Sequence, residues 1–468
     1  MRVQLLLLVT LLLCGCTVRR YQALPIVPGQ SASRLEARNF ADPGMRAYVE
    51  KNLGHSVAPW PPKTWDLRTL SLAALYFHPS VEAARARLAE AEAAILTAGA
   101  RPNPSLSIAP GVPSPWLLNL DFAVPIETAG KRGHRIQSAR SLNQAALLDL
   151  ADAAWKVRSG VRLALLNCVL ASRNLDALRA EEELRAGQVK LLEQRLTVGE
   201  IARPEVDAAR IELSKTHLAI AEAEGKVSES RAALAASMTV PTASLDGMDF
   251  AWAELDSPPA AESLSPAAIQ RDAVLDRLDV RRALAQYAAA EADLQLEIAK
   301  QYPDLQIGPG YTYEEGHSYF TLGLSATLPV FNRNQGPIAE AEARRREVAA
   351  AFVEKQTQVI AESETSLARY VSALQALAEA GQSLRTLQDT QLQRTQRAVQ
   401  LGEEDRLTLY GVEIEHAVVL RGRLDALARA QSALGELEDA VERPLDPGDV
   451  FSAAPESLPP SQLKEYTR

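Results

Sequence analysis

The stretch YFTLGLSATLPVFNRNQGPIAE, residues 319–340, joins two kinds of predicted structure. Apolar side chains alternate with small or polar ones from Phe320 to Leu328, which predicts a strand with one apolar face. Pro329 ends this strand, and a polar cluster follows it. Pro337 then stands where the first turn of a helix tolerates proline. The sequence therefore predicts a strand that passes through a short joint into a helix.

Two very long runs of the chain contain helix-forming residues and no internal proline. At about 1.5 Å per residue, each run would be ~100 Å long as a helix. Such lengths are typical of coiled-coil-like rods rather than of globular helices. Gly199 and Gly402 follow the two runs as C-terminal caps, so they are predicted hairpin turns from which a second helix returns. The predicted rod helices cover residues 132–198, 204–238, 336–401 and 407–441.

The chain is predicted to contain two copies of this arrangement. Residues 81–111 align with residues 280–310 at a constant offset of 199, and further matches reach the two hairpin glycines. In each copy a shorter helix comes first, then two strands, then the rod hairpin. The predicted strands cover residues 104–112, 116–125, 303–313 and 319–329. The predicted joints between strand and helix are Pro125 and Gly130 in the first copy and Pro329 and Gly336 in the second.

The four strands fit a membrane barrel better than a half-buried soluble hairpin. Their lengths are near the ~9 to 11 residues that cross a bilayer obliquely. Aromatic residues gather near the hairpin ends, as they do in outer-membrane strands. Four strands cannot close a barrel, and open edges are not tolerated in lipid, so several chains must share one barrel. A barrel of eight strands is filled by its own side chains, so a conducting pore favours three chains or more.

The first 16 residues, MRVQLLLLVTLLLCGC, have an apolar run too short to span a bilayer, which predicts an export signal. Gly15 and Cys16 resemble a bacterial lipobox, which favours cleavage after residue 15 and lipidation of Cys16. The alternative is a plain secretory signal. Acyl chains on Cys16 would hold the protein at a membrane surface. Cys168 would then be the one other cysteine in the mature chain, so no disulfide is expected.

Composition and motifs argue against catalysis and against nucleic-acid binding. The net charge is -9, and no basic patch with interleaved aromatic residues occurs. The six histidines are scattered and match no zinc-binding motif. The segment GPGY at 308–311 lacks the lysine and hydroxyl residue of a phosphate loop, and strand glycines explain it better. We therefore predict no catalytic residue, no metal site and no cofactor.

The opening stretch, YPDLQIGPGYTY (302–313) and PIETAGKRGHRIQSAR (125–140) together resemble the TolC-like outer-membrane efflux protein family. Within that family they are most similar to the CzcC-like heavy-metal efflux branch. The resemblance covers roughly residues 65–440. It implies a mainly α fold with a small β part. It also implies a homotrimer, in which a shared 12-stranded outer-membrane β-barrel takes four strands from each chain and continues as a long α-helical barrel in the periplasm.

The resemblance also implies an equatorial belt around the helical barrel. This belt would contain residues 17–70, residues 240–265 and the Pro-rich tail from Pro444. The predicted domains are a signal peptide (1–15), a lipidated and equatorial segment (16–70), a first repeat (71–240), an inter-repeat equatorial segment (241–265), a second repeat (266–441) and a Pro-rich tail (442–468).

The implied function is a passive exit duct of a tripartite efflux system. Its implied partners are a periplasmic adaptor, or membrane fusion protein, and an inner-membrane pump of the resistance-nodulation-division class, with heavy-metal cations as cargo. Export of drugs or other organic compounds and type I secretion are alternatives within the family. From other classes, a periplasmic adaptor and a structural envelope lipoprotein are the alternatives. Adaptors usually carry one hairpin within β-rich domains, whereas two hairpins are predicted here.

Three acidic residues, Glu403, Glu404 and Asp405, directly follow the second hairpin glycine. They would lie at the periplasmic tip of the rods. In a trimer, an acidic residue that faces the axis forms a ring of three charges, which favours cations and basic partners. The alternative is a solvated turn that stabilises the start of the next helix.

Overall fold

The computed structural model describes residues 21–111, 117–445 and 451 of the 468-residue chain. The predicted signal peptide, Cys16 and most of the Pro-rich tail lie outside the described residues. The helices are α1 (Pro28–Glu36), α2 (Pro43–Leu53), α3 (Leu67–Phe77), α4 (Pro79–Gly99), α5 (Lys131–Thr197), α6 (Arg203–Ser237), α7 (Pro266–Leu275), α8 (Leu278–Ala299), α9 (Gln335–Ala378), α10 (Arg385–Leu401) and α11 (Arg406–Val441). The strands are β1 (Thr64–Trp65), β2 (Ser105–Gly111), β3 (Leu117–Ile126), β4 (Asp249–Phe250), β5 (Leu305–Glu314) and β6 (His317–Ala326).

Two antiparallel helical hairpins form most of the described fold. Helix α5 has 67 residues and turns back into α6, whereas α9 and α10 lead to the turn before α11. Gly199 and Gly402 stand in these turns with φ of +79° and +75°, a left-handed conformation that glycine adopts without strain. The amide of Glu403 donates to the carbonyl of Ala398 over 2.8 Å, the hydrogen bond that closes a helix end of the Schellman type.

The pattern over 336–401 predicted one continuous helix for the second rod, and this prediction is wrong. Helix α9 ends at Ala378, a π-helical turn covers Glu379–Leu384, and α10 begins at Arg385. Gly381 lies in this turn, and glycine lowers the stability of a regular helix. The Nε atom of Arg423 in α11 lies 3.6 Å from the position that a Cβ on Gly381 would take. The wider turn thus coincides with a close approach between α9–α10 and α11.

The strands β2, β3, β5 and β6 form one antiparallel sheet in the order β2-β3-β5-β6. Strand β6 ends at Ala326, three residues before Pro329, although the alternation predicted a strand to residue 329. The amide of Val330 donates to the carbonyl of Leu328 over 2.9 Å. A bond between residues two apart is a γ-turn, so the chain turns away from the sheet at Pro329. Proline has no N–H to donate to a strand ladder.

The largest described core lies around the middle of the rods. It joins α2, α3, α4, the middle of α5 and the end of α6, with Met45, Trp65 and Leu234 fully buried. The short parallel pair β1 and β4 ties the N-terminal segment to the segment between the two copies. None of the described helices combines the length and the apolar character that a membrane-spanning helix needs.

Candidate functional site

One face of the four-stranded sheet is apolar and exposed. Side chains of Phe320, Leu322 and Leu324 in β6 are 83%, 78% and 69% exposed. An exposed apolar surface of this kind marks contact with a membrane or with another protein. The strand register places these residues together on that face: Leu106, Ile108, Leu118, Leu120, Phe122, Val124, Ile307, Tyr311, Tyr313, Phe320, Leu322 and Leu324.

The opposite face of the sheet carries small and polar side chains, joined by His317 and Tyr319 near the hairpin turn. The GPGY segment lies within β5, where Gly308 and Gly310 point to this polar face and Pro309 and Tyr311 to the apolar one. A Cβ on Gly308 would lie 1.4 Å from the carbonyl oxygen of Phe122, so the backbones approach too closely for a side chain. The register places these residues on the polar face: Ser105, Ser107, Asn119, Asp121, Gln306, Gly308, Gly310, Thr312, Thr321, Gly323 and Ser325.

The first joint between sheet and rod is fixed by a buried lysine. Gly130 turns the chain with φ +72°, and Lys131 then begins α5 with only 6% of its surface exposed. Its Nζ atom donates to Asp304 Oδ1 and to the carbonyl of Tyr302, both over 2.7 Å. Pro125 is still paired within the sheet, opposite Gln306. The rod of the first copy is thereby attached to the residues that precede β5 in the second copy.

The second joint uses an asparagine where the pattern predicted a glycine. Asn334 has φ +64°, whereas Gly336 lies inside the first turn of α9 with no positive φ. Asparagine is one of the few residues that enter the left-handed region readily. Its Nδ2 donates to the Glu297 carbonyl over 2.7 Å, which fixes the turn to α8. The offset of 204 that pairs Pro125 with Pro329 also pairs Gly130 with Asn334, so the alignment contained this information.

The three acidic residues at the tip have different surroundings. Asp405 precedes α11 and forms an ion pair with Arg195, near the end of α5. The hydrogen bond from Arg195 holds the pKa of Asp405 below its usual range. Glu403 and Glu404 are exposed and form no ion pair within the described part of the chain. Asp405 therefore joins the two hairpins, and the two glutamates are the acidic groups open to solvent.

Two further contacts join the hairpins above the tip. Arg421 of α11 pairs with Glu181 of α5 at 2.6 Å. The hydroxyl of Tyr410 lies 2.7 Å from the position that a Cβ on Gly187 would take, so glycine is needed for this close contact. An ion pair and a close packing contact thus connect the two hairpins in the half of the rods that lies nearer the turns.

A buried charge cluster lies near the middle of the rods and was missed by the sequence analysis. Arg158 and Arg162 of α5 both contact Glu438 Oε2 of α11, at 3.2 and 3.1 Å. The three side chains are 5% exposed or less. Glu438 Oε1 accepts a hydrogen bond from the Leu445 amide over 3.0 Å. Two arginines four residues apart in a largely apolar helical stretch were the available sign, but nothing local identified their partner.

Glu442, directly after α11, also has a largely buried side chain near the middle of the rods, with 8% of it exposed. Burial, reinforced by the nearby charge of Asp279, raises the pKa of Glu442 to about 7. Its Oε2 atom accepts a hydrogen bond from the Leu278 amide over 2.5 Å. The Glu442 carboxyl therefore keeps its proton to a higher pH than an exposed glutamate does.

Two of the six histidines lie beside carboxylates, and the described cysteine is buried. His416 lies 2.8 Å from Asp389 Oδ1, and His217 lies 3.0 Å from Glu182 Oε1. Cys168 is buried, and burial raises the pKa of its thiol. Across residues 21–111 and 117–445, no group of three or more His, Cys, Asp and Glu side chains is arranged to hold a metal ion.

Sequence comparison identifies relatives of known description. Residues 70–239 match the family model described as Outer membrane efflux protein. The chain is 27% identical over 272 residues to the cobalt-zinc-cadmium resistance protein CzcC of Cupriavidus metallidurans, covering 56% of this chain and 62% of that protein. It is 26% identical over 328 residues to the pyoverdine export outer membrane protein OpmQ of Pseudomonas putida, covering 63% of this chain and 67% of that protein. The match to CzcC thus spans less than two thirds of its length.

Solved structures share the fold. The outer-membrane channel OprN matches with a TM-score of 0.64 at 16% identity, and CusC matches with 0.63 at 17%. Each match covers 91% of this chain and 99% of the other. The outer membrane protein VceC of Vibrio cholerae matches with 0.61 at 20% identity, covering 81% of this chain and 97% of that one. At these identities the likeness concerns the fold.

Proposed function

We propose that the chain is a member of the outer membrane efflux protein family, whose model residues 70–239 match, and that it forms the exit duct of an efflux system. The exposed apolar face of the sheet carries this proposal. Lipid would cover the apolar face, and water would fill the channel on the polar face, as in outer-membrane barrels. Successive side chains point to the two faces in turn along the four strands, as they do in the wall of a membrane barrel.

Three chains would close the sheets into one β-barrel. Strands β2 and β6 each have one neighbour in the described sheet, so both outer edges are open. In lipid, every backbone N–H and C=O must be paired. The β6 edge of one copy would therefore pair with the β2 edge of the next. Three copies give a 12-stranded barrel with an open interior, whereas an eight-stranded barrel from two copies is filled by side chains.

The hairpins would extend the duct into the periplasm. At about 1.5 Å per residue, a helix of the length of α5 reaches ~100 Å from the membrane. Lipidation at Cys16 would add an anchor in the outer membrane. The tip then lies where a periplasmic adaptor and an inner-membrane pump would meet the duct. Glu403 and Glu404 would form the acidic ring there, while Asp405 remains paired with Arg195.

We expect the purified protein to conduct ions as a trimer. In a planar bilayer it should give discrete conductance steps, and native mass spectrometry in detergent should show three chains, with the N-terminal lipid as added mass. The double variant Glu403→Gln/Glu404→Gln should conduct but discriminate less between cations and anions, because it removes the open carboxylates at the tip.

Arg369→Gln is a suitable control because Arg369 pairs with exposed Glu436, far from the tip. It should leave conductance and selectivity unchanged. A non-conducting monomer would contradict the duct and would favour a structural lipoprotein or an adaptor. Unchanged selectivity in the tip variant would contradict the acidic ring alone.

For the cargo, we propose divalent heavy-metal cations. The match to the cobalt-zinc-cadmium resistance protein supports this class, and the match to a pyoverdine export protein supports organic compounds as the second candidate. Deleting the gene should make the native cell more sensitive to zinc, cobalt or cadmium, and the wild-type chain should restore growth. Normal metal tolerance combined with reduced siderophore export would instead select the second candidate.

A further inference from the structure

A carboxylate stands in the middle of the polar face of the sheet. Asp121 is the fifth of the ten residues of β3. The register places it beside Ser107 of β2 on one side and Gly310 of β5 on the other, with Thr321 of β6 next to Gly310. The row across the sheet therefore reads Ser, Asp, Gly, Thr. The other described acid on this face, Glu314, lies at the end of β5 beside the hairpin turn.

The space above Gly310 is filled by its neighbours. A Cβ on Gly310 would lie 2.8 Å from Asp121 Oδ1 and 2.5 Å from the Thr321 hydroxyl oxygen. The absence of a side chain at residue 310 thus lets the carboxylate and the hydroxyl share one position on the polar face. Asp121 itself is exposed and forms no ion pair with the described residues.

Aspartate is an unfavourable residue in a strand, so its place here needs a physical reason. An unpaired charge at mid-membrane depth is tolerated where it faces a water-filled cavity, and such residues mark ion pathways. Under the internal alignment at an offset of 204, the counterpart of Asp121 in the second copy is Ser325. Each chain therefore contributes one carboxylate at this level.

We propose that Asp121 determines the cation preference of the outer-membrane segment of the duct. This inference rests on the proposed function, because it needs the shared barrel. In the trimer, the three Asp121 carboxylates lie at one height around the lumen. The same row contains the hydroxyls of Ser107 and Thr321 and no basic side chain. Cations leaving the rods would be attracted to this ring and anions repelled from it.

The test is the reversal potential of single trimers in a planar bilayer under a potassium chloride gradient. At about 0.01 M salt, where charges act over ~30 Å, Asp121→Asn should lower the cation-to-anion permeability ratio about twofold or more. Near 1 M salt, where the range is ~3 Å, wild type and variant should converge. Asp121→Glu keeps the charge and should keep the wild-type ratio. Glu436→Gln, on α11 at the level of Arg158 and so roughly 40 Å along the rods from the sheet, should leave the ratio unchanged.

The outcomes separate this inference from the duct itself. Discrete conductance with an unchanged ratio in Asp121→Asn overturns the role of Asp121 and leaves the duct intact. A lowered ratio in Asp121→Glu as well would show that side-chain shape, not charge, is responsible, and would also overturn it. Absence of conductance from the wild-type trimer overturns the proposed function, and the role of Asp121 falls with it.

Discussion

Leu322→Arg is expected to abolish assembly of the protein in the outer membrane. Leu322 lies in the middle of β6 on the apolar face and is 78% exposed. On a lipid-facing strand, an arginine at the bilayer midplane costs about 2–4 kcal/mol per copy. A trimer incurs this cost three times, about 6–12 kcal/mol in all, which is comparable with the whole free energy of unfolding of a typical protein. The measurement is the amount of trimer in the outer-membrane fraction.

Gly323→Arg, next to Leu322 in β6 and so at nearly the same depth, is the matched control for Leu322→Arg, and a Cβ there would lie 3.6 Å from the nearest atom, the Gly308 carbonyl oxygen. It places the same side chain in the same strand, on the polar face. There the guanidinium would face the water-filled lumen, so trimer should form at close to the wild-type level. If both variants assembled equally well, the apolar face would not contact lipid and the membrane orientation of the sheet would be wrong.

The strands could be predicted from the sequence because their alternation has a period of two over many residues. The limits of the strands could not, since they depend on turns. The second joint illustrates this, because the left-handed turn at Asn334 is fixed by a hydrogen bond to the Glu297 carbonyl in α8, and only the internal alignment with Gly130 pointed to it. The π-helical turn at Glu379–Leu384 was hidden for a similar reason. Helix propensity favours an unbroken rod there, and the contact with Arg423 is tertiary.

The candidate site divides in the same way. The tip residues Glu403, Glu404 and Asp405 follow Gly402 directly and could be named from the sequence alone, and their role in the pore stays a prediction. The pairing of Asp405 with Arg195 joins residues of two different hairpins, 210 positions apart. The cluster around Glu438 likewise depends on two helices that meet only in the folded chain. Such contacts depend on how the helices pack. A single sequence therefore shows which residues are charged but not which residues they pair with.

Glu438→Gln should cause the largest loss of stability in the rods. The change keeps the shape of the side chain but removes the one carboxylate that contacts both Arg158 and Arg162 among the described residues. Removing one partner from a buried ion pair leaves uncompensated charge and costs about 3–5 kcal/mol. Here both guanidinium groups lose their contact with the Glu438 carboxylate in one change. We therefore expect a large fall in the free energy of unfolding of the detergent-solubilised protein.

Glu436→Gln is the matched control, two residues away on the same helix. Glu436 pairs with Arg369 at 3.0 Å, but its side chain is 50% exposed and that of Arg369 is 65% exposed. Exposed pairs contribute about 0–1 kcal/mol, because water and salt screen them. Urea unfolding, or thermal midpoints at one scan rate if unfolding is irreversible, should separate the two variants clearly. If both variants lost the same free energy of unfolding, the buried Glu438 would stabilise the protein no more than the exposed Glu436. The contact between α5 and α11 would then not depend on the cluster.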